Sequence, residues 1–396
     1  MPYHADAMEV TADLAQNVAR PGIIELGFGE PDPRLLPAEL VREAAAGALE
    51  SHGPACLAYG QLLGPPGLRD AVARRVAALE GSPASAGDVV ISGGNSQALD
   101  LVLTRFTRPG DVVLVESSTF ALALKTIRDH PVEVVALPFD AGGLDVEALE
   151  AALDALDEAG KRVAMLYAIP TYHNPSGVCL KAARRRRLVE LARRRDLLVI
   201  EDDVYRELAY DGPAPPSLWS LDRDAPVIRL GSFSKTLAPG LRVGWLNARP
   251  DLLERFASAG VLDSGGGISH FAACLTAEIL GAGHYDAHVA RLRAAYAARK
   301  GALAAALRQY LPAGCTFVTP AGGFFIWVTL PPGADTGRLL PAAEARGVSY
   351  APGAPFCSDG DARGLRLAFS FYDESTLAEG ARRLGAALAA EGAAEH

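Results

Sequence analysis

The sequence of 396 residues has few cysteines, no long apolar run and no excess of basic side chains. Its five cysteines are scattered and form no Cys-x-x-Cys pair, which excludes a disulfide framework and a zinc site of the usual spacing. No stretch approaches the roughly 20 consecutive apolar residues that span a bilayer. The net charge of −9 has the wrong sign for a protein that coats nucleic acid or an anionic membrane. We therefore expect no metal site, no membrane span and no nucleic-acid partner.

The amino terminus also lacks the apolar core of a signal peptide, since residues 1–10 include His4, Asp6 and Glu9. Together with the scattered cysteines, this predicts a soluble, cytoplasmic protein. What the sequence does contain is apolar material, with 49% hydrophobic and 21% charged residues, which excludes general disorder. At about 150 residues per domain, the length allows two or three domains.

Short apolar runs alternate with amphipathic stretches as far as about residue 250. The runs that we interpret as strands are residues 89–91, 112–115, 132–137, 163–169, 197–200, 227–230 and 241–246. Strands that alternate with helices predict an α/β fold with a mostly parallel sheet covered on both faces. Later Ala- and Arg-rich stretches and a few strand-like segments predict a smaller α+β domain. We place an N-terminal segment at 1–50, packing partly with the small domain, the large domain at 51–285 and the small domain at 286–396.

Polar residues follow five of the predicted strands directly. They lie at 92–97, 116–120, 170–177, 201–205 and 231–235. Because ligands of open α/β sheets bind beyond the carboxyl ends of the strands, we expect these segments to meet in one site.

Residues 92–97 (SGGNSQ) form a glycine-rich turn that opens a predicted helix. Its backbone N–H groups could hold a phosphate at the helix N-terminus, and a plain tight turn is the alternative. The turn lacks the Gly-x-Gly-x-x-Gly fingerprint of dinucleotide-binding proteins, which counts against a nicotinamide-dependent dehydrogenase.

Three charged residues at or near strand ends are candidates for chemistry. Asp202 ends a buried strand. It is either a helix N-cap or one side of a salt bridge, or it pairs with a protonated heterocyclic nitrogen. Lys235 lies in a segment that resembles a Walker phosphate-binding loop, but Ser234 stands where that motif requires glycine. Lys235 is therefore either an amine nucleophile or a solvated surface residue. Arg366 lies in an apolar strand, where its planar guanidinium either binds a carboxylate or faces solvent.

Two arginine runs, at 184–187 and 193–195, could suggest a nucleic-acid surface. They occur among apolar residues with helical spacing on an acidic chain. We therefore interpret them as the solvated face of a helix.

Five motifs in the same order resemble fold-type I enzymes that use pyridoxal 5′-phosphate (PLP), in the class I/II aminotransferase family and closest to its 2-aminoadipate/kynurenine type. The motifs are the glycine turn, Asn174-Pro175-Ser176-Gly177, Asp202-x-x-Tyr205, Ser232-x-Ser234-Lys235 and Arg366. The resemblance implies the aspartate-aminotransferase-like fold, with a large PLP-binding domain built on a mostly parallel seven-stranded sheet between helices. It also implies a smaller α+β domain.

The resemblance also implies roles for individual residues. Lys235 would form the Schiff base with PLP and move the substrate proton, and Asp202 would pair with the pyridine nitrogen. Tyr205 and Asn174 would form hydrogen bonds with the 3′-oxygen of the PLP ring, and Phe120 would stack on the ring. The implied phosphate-binding residues are Asn95, Ser96, Gln97, Ser232, Ser234 and Arg242. Tyr59 would reach the phosphate of a neighbouring subunit, which implies a homodimer with composite sites. Arg366, helped by Asn174, would bind the substrate α-carboxylate near Gly29.

The implied reaction moves an amino group between an L-amino acid and a 2-oxo acid. A PLP-dependent lyase, decarboxylase or oxidase on the same fold is the alternative. The resemblance extends to the PLP domain of some bacterial regulators, but about 26 residues before Gly27 are too few for their DNA-binding winged helix. His173 is left with two interpretations, a substrate- or proton-handling residue and a packing residue.

Overall fold

The computed structural model describes residues 20–265, 267–358 and 360–394, so the expectation for residues 1–10 lies outside the described residues. The strands are β1 (Ile24–Glu25), β2 (Val89–Ser92), β3 (Val112–Glu116), β4 (Glu133–Leu137), β5 (Phe139–Asp140), β6 (Gly143–Leu144), β7 (Val163–Ala168), β8 (Val199–Asp202), β9 (Val227–Ser232), β10 (Gly244–Asn247), β11 (Thr316–Phe317), β12 (Phe325–Thr329), β13 (Val348–Ser349), β14 (Ala351–Pro352) and β15 (Gly364–Ala368). The helices are α1 (Ala38–His52), α2 (Pro66–Glu80), α3 (Asn95–Phe106), α4 (Ala121–Arg128), α5 (Val146–Glu158), α6 (Ala182–Arg195), α7 (Leu218–Leu221), α8 (Pro250–Ala257), α9 (Gly260–Asp263), α10 (His270–Gly281), α11 (His284–Tyr310), α12 (Thr336–Glu344) and α13 (Glu374–Ala394).

A seven-stranded sheet in the order β2-β10-β9-β8-β7-β3-β4 forms the centre of the molecule. β10 is antiparallel to both of its neighbours, and the remaining pairs are parallel. Every residue of β3 and β8 is buried, as expected of strands covered on both faces. The predicted fold class, a mostly parallel seven-stranded sheet with a smaller second domain, is confirmed.

The two faces of the sheet belong to separate apolar cores, as the alternation of side chains along a strand requires. Val112 and Leu114 pack into one core, whereas Val113 and Val115 pack into the other. Parallel strands align their carboxyl ends, so the segments after β3, β7, β8 and β9 leave the sheet at the same edge.

A second sheet, β11-β12-β15-β14, is antiparallel and packs in a third core with α11 and α13. β1 pairs in parallel with β13, so the N-terminal segment is hydrogen-bonded to this part of the chain. The 27-residue helix α11 begins at His284, next to the predicted boundary at 285/286. The domain boundaries themselves stay predictions. Among the described helices, none combines the length and apolar character needed to cross a bilayer.

Two local expectations were wrong. The predicted strand 241–246 begins only at Gly244, because Arg242 adopts a left-handed conformation with φ of 53° after a short 3-10 turn. In the arginine-rich helix α6, most arginines are partly or fully exposed, but Arg185 is buried. Its Nε donates to the Leu180 carbonyl at 2.8 Å, and its Nη2 donates to Thr171 Oγ1 at 2.9 Å. Arg185 therefore fixes the start of the loop after β7.

Candidate functional site

Lys235 follows β9 and reaches the segment between β1 and α1. Its Nζ donates to the Gly29 carbonyl oxygen at 3.0 Å. Burial lowers the pKa of Lys235 to about 8; the negative charges of Glu30 and Asp202 oppose this shift, while Arg366 assists it. A lysine with this pKa has an appreciable neutral fraction near pH 7, which is the form that acts as a nucleophile or base.

Asp202 is the last residue of β8 and is 8% exposed. Its Oδ1 accepts a hydrogen bond from Asn95 Nδ2 at 3.0 Å, and its Oδ2 accepts one from the Tyr167 hydroxyl at 2.7 Å. Burial raises the pKa of Asp202 to about 6, although both hydrogen bonds favour the charged form. Both bonded partners are neutral, so no hydrogen-bonded cation compensates the carboxylate, while the nearby charge of Lys235 also favours its charged form.

Tyr167 is a site residue that the sequence analysis missed. It lies on β7, which pairs with β8 so that Tyr167 is opposite Ile200, and its side chain is fully buried. The sequence does contain a signal for Tyr167, because its hydroxyl is a single polar group in an otherwise apolar strand that lies next to the strand of Asp202. Burial raises the pKa of the Tyr167 phenol well above its usual range, so the group stays a hydrogen-bond donor to Asp202.

Arg366, in the centre of β15, is 7% exposed. Its Nη1 donates to Asn174 Oδ1 at 2.9 Å and its Nη2 to the Gly27 carbonyl at 2.8 Å, while the guanidinium lies 4.2 Å from the Phe325 ring centroid. Within the part of the chain that the structure describes, no carboxylate lies within 4.0 Å of this group, and Nε has no hydrogen-bond partner. A buried cation of this kind is suited to binding an external carboxylate.

The backbone at Gly29 passes between the Lys235 and Arg366 side chains. A Cβ atom at Gly29 would lie 2.9 Å from the Phe325 ring and 3.6 Å from Arg366 Nη2. Glycine is therefore required at this position by the close approach. The structure thus brings predicted residues Lys235, Gly29, Asn174 and Arg366 together.

The glycine turn before α3 lies against Arg242. Gly94 has a φ of +93°, and a Cβ there would be 2.6 Å from Arg242 Nη2. Arg242 Nη2 lies 3.4 Å from the Gly93 carbonyl, and the hydroxyls of Ser232 and Ser234 are hydrogen-bonded to each other at 2.9 Å. The first N–H groups of a helix have no acceptor within the helix, so the turn offers donors next to a cation.

The amide side chains of this turn have partners of their own. Asn95 contacts Asp202 as described, and Gln97 accepts from the Gly93 N–H and donates to the Gly267 carbonyl, both at 2.8 Å. Gln97 therefore holds the turn in shape. Ser96 is exposed at the start of α3. The roles predicted for these three side chains toward a phosphate stay predictions.

Two predicted aromatic residues border the site. Tyr205 is buried against the rings of Phe324 and Phe325, and burial raises its pKa. Phe120 precedes α4 and is partly buried. Together with Arg366, it lines an open cleft of about 490 Å³. The cleft residues with large apolar side chains are Phe28, Phe120, Leu122, Tyr350 and Phe356.

Glu30 is a second residue that the sequence analysis did not assign to the site. Its Oε1 is buried and has no hydrogen-bond partner within the described residues. Burial raises the pKa of Glu30, and the nearby charge of Lys235 partly offsets this shift. The available signal was its place directly after Gly29, which the resemblance puts near the substrate α-carboxylate.

Tyr59 is placed differently from the other predicted residues. It is 89% exposed and lies against Gly265.

Among the described residues, no cluster of three or more His, Cys, Asp or Glu side chains is arranged to hold a metal ion.

Known proteins resemble this chain in sequence and in fold. Residues 21–384 match the family described as aminotransferase class I and II. The aromatic-amino-acid aminotransferase 1 of Thermococcus litoralis is 35% identical over 96% of this chain and 91% of its own length. The crystal structure of a multiple substrate aminotransferase from Thermococcus profundus is 36% identical, with a TM-score of 0.89 over 94% of this chain and 92% of that one. An α-aminoadipate aminotransferase from Thermus thermophilus, solved with N-(5′-phosphopyridoxyl)-L-leucine, is 34% identical, with a TM-score of 0.85 over 93% of each chain.

Proposed function

Because this chain belongs to the class I and II aminotransferase family, we propose that Lys235, Asp202 and Arg366 perform its PLP-dependent transamination between an L-amino acid and a 2-oxo acid. The enzyme class and the coenzyme follow from the family; the roles of these residues are our assignment. The observation that carries the assignment is the convergence of Lys235 and Arg366 at Gly29, with Asp202 close enough to influence the pKa of Lys235.

The residues of the site fit PLP. The buried carboxylate of Asp202 has only neutral partners, as a group that must face a protonated pyridine nitrogen requires. Gly94 has a φ of +93°, which favours glycine, and the Arg242 guanidinium lies beside this turn, which suits a phosphate. Lys235 is a partly buried amine of lowered pKa, which suits condensation with an aldehyde.

When bound, PLP supplies an electron sink that stabilises negative charge developing at the substrate Cα. Asp202 would hold the ring nitrogen in its protonated form, and Asn95 and Tyr167 fix the orientation of the Asp202 carboxylate by donating to its two oxygens. Lys235 would hold the coenzyme, and its neutral amine would be the base that removes the proton at the substrate Cα and the acid that passes that proton on to the coenzyme side. Arg366 binds the α-carboxylate and sets which face of the substrate Lys235 meets.

The aromatic part of this cleft, which Arg20 and Glu25 also line, supports a substrate with a bulky apolar or aromatic side chain. Its aromatic side chains are those of Phe28, Phe120, Tyr350 and Phe356, next to the buried guanidinium of Arg366. Burying an apolar side chain there is favourable by roughly 25 cal/mol for each Å² of apolar surface removed from water. The relative from Thermococcus litoralis is named for aromatic amino acids, which agrees with this proposal.

We also propose a homodimer in which Tyr59 completes the phosphate site of the other subunit. The exposure of Tyr59, and of Leu57 and Leu62 in the same segment at 66% and 43%, supports a surface that is covered in the assembly. Sedimentation of the protein at micromolar concentration tests this, and a monomer with full activity would contradict it. The cytoplasmic location stays a prediction.

The assignment is tested by reducing the PLP-loaded enzyme with borohydride and mapping the tagged peptide. We expect the tag on Lys235, and a tag on another lysine would overturn the assignment. A panel of L-amino acids with 2-oxoglutarate then tests the reaction. We expect a keto acid and glutamate, with the highest kcat/KM for bulky apolar side chains. Release of ammonia or hydrogen peroxide without an amino acceptor would indicate the lyase or oxidase alternative.

A further inference from the structure

A buried histidine lies next to the residue that contacts Arg366, and none of the roles above uses it. His173 is fully buried in the loop between β7 and α6. Its imidazole stacks on the Phe139 ring, with the centroids 4.5 Å apart and the planes at 28°. A phenyl ring could make the same stacking contact, so packing alone does not account for a histidine, whose buried nitrogens need partners.

Both ring nitrogens face polar groups. The Ser176 N–H donates to Nδ1 at 3.3 Å, and the Ser176 hydroxyl lies 2.8 Å from the same atom. Nδ1 is therefore an acceptor, which places the proton of a neutral imidazole on Nε2. Nε2 lies 3.2 Å from Oε2 of Glu116, a buried carboxylate at the end of β3, although the two groups are not aligned as a hydrogen bond.

Glu116 joins this histidine to the sheet. The same Oε2 accepts a hydrogen bond from the Ile169 N–H at 3.0 Å, directly after β7. His173, the residue before Asn174, thus contacts Glu116, which lies at the end of β3 and is hydrogen-bonded to the segment after β7. Ser176, the residue after Pro175, contacts the His173 ring. Asn174, held between these points, presents Oδ1 to Arg366 Nη1.

We propose that His173 is a positioning residue for substrate recognition: through Glu116 and Ser176 it fixes Asn174, and Asn174 orients the Arg366 guanidinium toward the substrate α-carboxylate. The proposal rests on the function assigned to Arg366 above. His173 itself touches no reacting atom, because it is fully buried and its polar contacts are with protein groups.

The test compares two substrates of the PLP-loaded enzyme: the best amino acid of the panel and the amine that lacks its carboxylate. The variant His173→Phe keeps the stacking on Phe139 and removes both polar contacts. We expect the ratio of kcat/KM for amino acid over amine to fall by roughly tenfold or more, since misplacing a binding group by ~1 Å can cost 10²-fold. His173→Gln, whose amide can still contact Glu116, should restore part of the ratio.

His130→Phe is the matched control, because His130 Nε2 lies 2.9 Å from the carboxylate of the exposed Asp100 and contacts no residue of the site. It should leave the ratio unchanged. If His173→Phe does not fold, Ser176→Ala removes only the hydroxyl contact and should lower the ratio in the same direction. An unchanged ratio in the folded variant, or an equal loss for both substrates, would overturn the proposal. Arg366→Lys in the same assay distinguishes a failure of this proposal from a failure of the role assigned to Arg366. If Arg366→Lys leaves the ratio unchanged, it is the role assigned to Arg366 that is wrong.

Discussion

Asp202 and Asp203 are consecutive at the end of β8 and are both buried, yet their surroundings are opposite. Asp202 is bonded only to the neutral groups of Asn95 and Tyr167, and burial raises its pKa. Asp203 lies between two guanidiniums, with Arg229 Nε donating to Oδ2 at 2.8 Å and Arg206 bonded to the same oxygen. Although burial opposes it, these cations hold the pKa of Asp203 below its usual range.

The buried arginines repeat the contrast. Arg229 is neutralised by Asp203 and by Glu80, whose Oε1 lies 3.0 Å from Arg229 Nη1. Arg366 is bonded only to the neutral oxygens of Asn174 and Gly27. Charges that are compensated within the protein hold the fold together, whereas we assign Asp202 and Arg366 to charges that arrive with coenzyme and substrate.

Asp203→Asn should produce the largest effect, and it should be on stability. The change leaves Arg206 and Arg229 with an uncompensated buried charge, which costs about 3–5 kcal/mol when one partner of a buried pair is removed. Urea unfolding measures it, with Asp202→Asn as the neighbouring control. Equal destabilisation by the two variants would remove the distinction between the two acids.

Asp202→Asn should instead lower activity and leave stability nearly unchanged. Its folded structure should be retained because its bonded partners are neutral, while kcat should fall by roughly 10²–10³-fold, as when one preorganised electrostatic contact is removed from an active site. Steady-state kinetics with saturating PLP measure it. A variant that retained more than a tenth of the wild-type kcat would contradict the role of Asp202.

Arg366→Lys should affect substrate binding more than the rate of the bound complex. A lysine keeps the charge and loses the planar pair of donors, so KM for the amino acid should rise by roughly 10–100-fold, the equivalent of one charge-assisted hydrogen bond of about 1.5–3 kcal/mol. The absorption spectrum of the bound coenzyme should not change. A changed spectrum with a normal KM would place Arg366 at the coenzyme instead.

The raised pKa of Asp202 predicts a pH dependence in the coenzyme-free protein. The folded state binds this proton more tightly than the unfolded chain, so the contribution is complete below about pH 4 and is lost as pH rises through about 6. Between pH 5 and 7.5, the wild type should lose on the order of 1 kcal/mol more stability than Asp202→Asn. Urea midpoints at both pH values measure the difference, and parallel curves for the two proteins would show that Asp202 has an ordinary pKa.

Glu30→Gln should give the smallest effect. The charge of Glu30 raises the pKa of Lys235, so its removal should lower that pKa further below about 8. The pH dependence with which the coenzyme-free enzyme reacts with an amine-specific acylating reagent at Lys235, followed by peptide mapping, measures the shift. Glu39→Gln, an exposed residue on α1, is the control. A shift to higher pH would mean that Glu30 does not act on Lys235 as a negative charge.

The chain order of strands, helices and strand-end residues was sufficient to predict the sheet and to bring Asp202 and Lys235 to one edge. It was not sufficient to identify Tyr167, because its contact with Asp202 depends on how β7 and β8 are paired. Arg185 was wrongly expected on a solvated face, since its partners include the carbonyl oxygens of Pro170 and Pro216, which lie 15 and 31 residues away in the sequence. The partner of a buried charge is a property of the tertiary structure, and a local pattern does not contain it.

The most direct test of the contrast between the two acids is the ¹⁵N chemical shift of the ring nitrogen in PLP labelled at that position and bound to the enzyme. We predict a protonated nitrogen in the wild type and in a folded Asp203→Asn variant, and an unprotonated nitrogen in Asp202→Asn. A protonated nitrogen in Asp202→Asn would contradict the claim that the uncompensated charge of residue 202 is the one the coenzyme uses.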